Sequence, residues 1–106
     1  MKPRLSIFLL FFSGLIISEI FVDVRTQKEF KEESILNTYN IEWQNILDIK
    51  EIASQDDEIY VFCRSGNRSE KAKKILEEAG YKQVYNIGGI VDASVFIQDI
   101  RYNSEN

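Results

Sequence analysis

Short apolar runs alternate with amphipathic stretches along the chain, and this alternation predicts an α/β domain with a largely parallel central sheet flanked by helices. EIFVDVR, residues 19–25, reads as the first strand, and Thr26 with Glu29 three residues later makes a capping box for a short helix through about Glu33. NTYNI, residues 37–41, predicts a brief second strand. In WQNILDIKEIA, residues 43–53, Trp43, Ile46, Leu47, Ile49 and Ile52 have the spacing of a helix facing a core. IYVF, Ile59 to Phe62, is β-rich and uncharged, as expected of a central strand buried on both faces. Ser69 predicts the cap of a helix running to Ala79, with Ala72, Ile75, Leu76 and Ala79 on one side and a stop at Gly80. KQVYNI, residues 82–87, is a further strand, Gly88-Gly89 a turn, and the remainder a weak helix fading into the polar tail YNSEN.

The N-terminus departs from this pattern. Lys2 and Arg4 precede an uncharged run from Leu5 to Ile17, and Ser18 offers a small residue before Glu19, which is the layout of a secretory signal peptide. The run is short of the roughly 20 residues a spanning helix needs. Residues 1–18 are therefore expected to be removed, with an uncleaved membrane anchor or a buried strand as the alternatives, and residues 19–106 to form one domain. Removal takes Lys2 and Arg4 from 13 basic residues and none of the 17 acidic ones, moving the net charge from −4 to −6. Such an acidic chain argues against nucleic acid as a partner. The expected product is a monomer in a periplasm-like compartment, without stable membrane association once the leader is gone.

Cys63 is the one cysteine, so no internal disulfide can form, and the absence of histidine excludes Cys-His proteases, Ser-His-Asp hydrolases and histidine-ligated zinc. The thiol stands at the carboxyl end of the predicted central strand, with six residues leading to a helix N-terminus, the edge at which open α/β sheets bind ligands. Gly66 and the small polar residues Ser65, Asn67 and Ser69 let the loop curl its N–H groups inward to hold an anion. A thiolate is such an anion. With Arg64 and Arg68 beside it, Cys63 is expected to ionise below the ordinary value of about 8.5 without a general base.

Cys63-Arg64-Ser65-Gly66-Asn67-Arg68-Ser69, preceded by a strand and followed by a helix, resembles the active-site loop of the rhodanese-family sulfurtransferases. Asp23-Val24-Arg25, Glu29-Phe30, Asn40-Ile41 and Tyr85-Asn86-Ile87-Gly88-Gly89 resemble further motifs of that family, so the similarity covers most of the chain after residue 18. A leader followed by a single such domain is similar to the small periplasmic members of the phage-shock-protein E type. The resemblance implies a rhodanese-like fold and a Cys63 thiolate that takes the outer sulfur of thiosulfate, releases sulfite, and passes the sulfur from a persulfide to cyanide or a thiol. It implies substrate contacts from Arg64, Ser65, Gly66, Asn67, Arg68 and Ser69, with no metal or organic cofactor. Asp23 with Arg25, as an ion pair, and Gly88-Gly89, at the rim, are expected beside the loop. The chain departs from the family with Glu33-Ser34 in place of Gly-His, Leu36-Asn37 in place of Pro-Gly, and no tryptophan after Gly89.

Two other classes remain. Cysteine phosphatases and arsenate reductases place five residues between cysteine and arginine, whereas four separate Cys63 from Arg68, and Ser69 fills the arginine's place. A non-catalytic sulfur-carrier or binding module would keep the loop without turnover. In the blandest account, Cys63 is a buried structural thiol and the arginines are solvated surface charges.

Overall fold

A period of two sorts the strand side chains into two faces. Along β1 (Glu19–Asp23) and on to Val24, Ile20, Val22 and Val24 join one core cluster while Phe21 joins the other. β3 (Glu58–Cys63) follows the same rule, with Ile59, Val61 and Cys63 on the first side and Tyr60 and Phe62 on the second. With β2 (Tyr39–Asn40) and β4 (Gln83–Gly89), the computed structural model, which describes residues 17–105, forms a four-stranded, all-parallel sheet in the order β2-β1-β3-β4. Cys63 therefore ends a central strand, and its parity aims it at the first face.

That face is covered by a 3₁₀ segment (Trp43–Glu51) and by α2 (Asn67–Glu78), which bring Ile46, Ile49, Ala72 and Leu76 onto Val22, Val61 and Val84. α3 (Ile90–Glu105) covers the other face with Ala93 and Ile97 against Phe21 and Phe62, and Tyr60 stacks between Phe21 and Tyr85 at 5.2 Å from each. The short α1 (Gln27–Glu32) follows β1 and has no buried residue; its capping box between Thr26 and Glu29 is formed. Each fully buried aliphatic or aromatic side chain contributes about 1.5 to 3 kcal/mol, so both faces are needed to hold a sheet of this size.

Four local expectations differ from the structure. The stretch 43–51 is 3₁₀ rather than α, broken at Asn45 (φ −108°, ψ 19°), and Leu47 is exposed. The physical reason is the three-residue spacing of Ile46, Ile49 and Ile52, which lines up on one face of a 3₁₀ helix and not of an α-helix. Gly66, not Ser69, caps α2, in a left-handed conformation at φ 97°, so the helix begins three residues sooner. Gly88-Gly89 is not a turn but the end of β4, and the chain passes straight into α3. The last helix runs through the polar tail to Glu105.

The signal-peptide expectation for residues 1–18 lies outside the described residues except for Ile17 and Ser18. The Ser18 N–H donates to Asp57 Oδ1 and its carbonyl accepts the Glu58 N–H, so the expected cut falls beside the first hydrogen bonds of the sheet. Among the described residues, no helix is long and apolar enough to cross a membrane.

Candidate active site

Between Val61 and Cys63 the pairing of β3 with β4 shifts register: Val61 faces Asn86, but Cys63 faces Gly89, so β4 spends one residue more than β3. Bulges of this kind re-aim side chains beside functional sites. Here the bulge presses Gly89 against the loop, where a Cβ on that residue would lie 2.5 Å from the Arg64 carbonyl oxygen. Asn86, before the bulge, shares the face of Val84 by strand alternation and points its side chain onto the start of α2, where it meets Ser69, Gly66 and Glu70.

The Cys63 thiol rests on the N-terminus of α2. Gly66 N–H approaches Sγ at 3.0 Å, the Ser69 N–H at 3.4 Å and the Ser69 hydroxyl at 3.4 Å. Cys63 and Ser69 are fully buried. Burial alone pushes the thiol's pKa up, but the Ser69 hydroxyl and the backbone N–H groups of Ser69, Ser65 and Gly66 outweigh it and hold the pKa below the ordinary thiol value. The positive end of the 12-residue helix acts in the same direction. The expected six-residue loop is thus half loop, Arg64 to Gly66, and half helical turn, Asn67 to Ser69.

The arginines sit otherwise than expected. Arg68 donates to both carboxylate oxygens of Glu29, at 2.8 and 3.2 Å, while Arg64 is 70% exposed with Nε 3.7 Å from Glu29. Bonds from Arg68, and then those from Thr26, hold the Glu29 carboxyl at about 2 despite some burial. Two guanidiniums over one carboxylate leave one net positive charge at the rim, and the contacts that favour the thiolate come from the helix start. Asn67 is exposed.

Asp23 and Arg25 form a buried pair beneath this rim, with Arg25 Nε 3.0 Å from each carboxylate oxygen and Nη2 2.8 Å from Oδ2. The Arg25 guanidinium also donates to the Glu33 carbonyl at 2.6 Å, pinning the end of α1, and the Asp23 bond raises the guanidinium pKa further. The Asn40 amide bridges the Asp23 and Arg25 carbonyls, tying β2 to the same corner. Glu33 and Leu36, two of the family departures, line a groove of about 540 Å³ together with Ile90, Val95 and Arg101 of α3.

Asn86 and Glu29 are the site residues that sequence reasoning left without a role at the cysteine loop, Glu29 having been read only as part of the capping box. Both lie inside quoted motifs, but neither spacing nor residue type reveals that one braces the loop and the other faces both arginines. Among the described residues, no group of three or more histidine, cysteine, aspartate or glutamate side chains is placed to hold a metal ion. The arrangement can hold a nucleophilic thiolate without a general base, because backbone N–H groups already surround the place where its charge appears.

Known proteins share this architecture. The sequence profile of the rhodanese-like domain matches residues 13–94. The chain is 29% identical over 96 residues to the thiosulfate sulfurtransferase PspE of Escherichia coli (strain K12), covering 89% of this chain and 92% of that one. It is 30% identical over 70 residues to the thiosulfate sulfurtransferase GlpE of Coxiella burnetii (strain RSA 331 / Henzerling II), covering 66% of this chain and 65% of that one. A solved E. coli structure, described as rhodanese with anions, superposes with a TM-score of 0.66 at 31% identity, over 71% of this chain and 91% of that one. A matched profile across most of the chain, a shared parallel sheet and a cysteine loop at the end of its central strand make this protein a member of the rhodanese-like domain family.

Proposed function

We propose that this chain is a thiosulfate sulfurtransferase with Cys63 as nucleophile and persulfide carrier. The Cys63 thiolate attacks the outer sulfur of thiosulfate. A new S–S bond forms to Sγ, the S–S bond of thiosulfate breaks, and its electron pair leaves with sulfite. Cyanide or an acceptor thiolate then attacks the outer sulfur of the persulfide, and Cys63 departs as the thiolate. The N–H groups of Gly66 and Ser69 hold the charge at the start and end of this cycle, so the work is positioning and electrostatics rather than acid-base transfer. Arg64 and Arg68, less the charge of Glu29, draw the doubly charged donor to the rim. Cys63 is fully buried, so donor entry requires the groups around it to move.

The observation that carries the proposal is the cradle itself, a sulfur at 3.0 to 3.4 Å from two backbone N–H groups at a helix start. Ser69 disfavours the phosphatase reading, because at the position of that family's arginine it is buried and engaged with sulfur and Asn86. Export under residues 1–18 belongs to the same proposal and rests on the charge and hydropathy of those residues.

Intact mass after incubation with thiosulfate tests it. The chain should gain about 32 daltons at Cys63, reversibly with a reductant, and Cys63→Ser should gain nothing. No gain with the thiol shown to be free would overturn donor chemistry with thiosulfate and favour a carrier or binding role.

A further inference from the structure

The Ser69 hydroxyl has one proton and two neighbours that want it. Asn86 Oδ1 lies 2.7 Å from Ser69 Oγ, and Cys63 Sγ lies 3.4 Å from the same oxygen. The orientation of the Asn86 amide is dictated by its other partners: Nδ2 donates to the Gly66 carbonyl and to Glu70 Oε1, each at 3.1 Å, and Oδ1 accepts the Gly88 N–H at 3.0 Å. Oδ1 can only accept, so at 2.7 Å the Ser69 hydroxyl proton points to Asn86. The lone pairs of Oγ then face sulfur, which suits a protonated thiol donating S–H to Oγ. They do not suit a thiolate, which would face an oxygen lone pair at 3.4 Å.

We propose that Asn86 is a positioning residue that decides where the Ser69 hydroxyl proton points, to Asn86 Oδ1 while Cys63 carries its own proton and to sulfur once Cys63 is a thiolate. When the proton swings to sulfur, Oδ1 keeps the Gly88 N–H, so no buried acceptor is stranded. When Sγ becomes the inner, uncharged atom of a persulfide, the hydroxyl returns to Asn86. This last step rests on the sulfurtransferase reading; the first two need only an ionising thiol. Asn86 therefore competes with the thiolate for a donor, and limits how far the helix start favours the ionisation of Cys63.

The charged groups around the site are Arg64, Arg68 and Glu70 on the loop and α2, Glu29 on α1, Asp23 and Arg25 at the end of β1, and Asp92 at the start of α3. The 3₁₀ segment turns the apolar Ile46 and Ile49 inward. The Ser69 hydroxyl is the side-chain group here within hydrogen-bond distance of Cys63 Sγ, and its proton can turn toward or away from sulfur.

The experiment titrates the ultraviolet absorbance of the thiolate in the full chain, with Cys63→Ser as blank, for wild type, Asn86→Leu, Ser69→Ala and the double variant. Asn86→Leu removes the competing acceptor and should lower the thiol midpoint by about one unit, or roughly tenfold more thiolate below it. Ser69→Ala should raise the midpoint, and adding Asn86→Leu to it should bring no lowering. An Asn86 that merely braces the loop predicts the opposite sign, because looser N–H groups stabilise the thiolate less, and a raised midpoint in Asn86→Leu overturns the proposal. Should Asn86→Leu fail to fold, Asn86→Asp keeps the shape and holds the hydroxyl proton more strongly. It should raise the midpoint more with Ser69 present than in the Ser69→Ala background, and equal shifts overturn the proposal. No sulfur donor is used, so a chain that follows this cycle yet takes up no sulfur would sink the sulfurtransferase reading alone.

Discussion

Replacing Gly89 by alanine tests whether the bulge in β4 sets the shape of the cysteine loop. The added Cβ would stand 2.5 Å from the Arg64 carbonyl oxygen and 3.2 Å from its carbon, both backbone atoms that no rotamer change can move aside. Comfortable C···O contacts begin near about 3.3 Å, so the Arg64 carbonyl or β4 must retreat by about 0.8 Å. Overpacking of this size costs about 1 to 3 kcal/mol, which for a domain of this length lowers Tm by about 4 to 24 °C. The functional cost is larger, since Arg64 adjoins Cys63 and a displacement near 1 Å at a reacting centre can cost about 100-fold in rate. Gly88→Ala is the control. Gly88 sits at φ 90°, so alanine there strains the backbone by about 1 to 2 kcal/mol. Its Cβ meets nothing closer than the Asp92 carboxylate at 3.7 Å, and the loop stays in place. Thermal unfolding measures the stability of both variants, and the initial rate of thiosulfate-dependent mass gain measures the loop. Gly89→Ala should lose rate out of proportion to its Tm, and Gly88→Ala should lose Tm alone. Wild-type loading by Gly89→Ala would refute the claim that β4 shapes the site.

Two further outcomes follow from the ion pairs. Asp23→Ala strands the buried Arg25 guanidinium and should cost about 3 to 5 kcal/mol by urea unfolding, so a loss below about 1 kcal/mol would remove the pair from the list of what holds the corner together. Glu29, held at about 2 against an ordinary 4.5, contributes stability that is fully present above about 4.5 and is lost as pH falls toward 2. Glu29→Gln should therefore be about 1 kcal/mol less stable than wild type at neutral pH, with the gap closing over that acid range. A gap that persists at pH 2 would show that packing, not charge, is what Glu29 supplies.

Sequence alone determined the architecture and the place of the cysteine loop at the end of a central strand. A buried apolar strand ending in Cys63, a glycine three residues on and an amphipathic helix after it are local patterns, and local patterns carry their own physics: period two for strands, 3.6 for the helix, capping residues at its ends. Thr26 and Glu29 announced their capping box for the same reason, as partners three residues apart. Misread local detail had local causes, as with the three-residue isoleucine spacing that favours 3₁₀ and the left-handed glycine that moved a helix start from Ser69 to Gly66. The tertiary structure decided how the site is wired. Glu29 meets Arg68 across 39 positions of sequence and Asn86 meets Ser69 across 17, distances at which spacing carries no information about contact. These pairings exist because the crossover helices of a parallel sheet return distant segments to one edge, where strand alternation aims Asn86 at α2 and one extra residue in β4 brings Gly89 onto the loop. What the arginines neutralise, and which group competes for the proton of Ser69, are consequences of that closure.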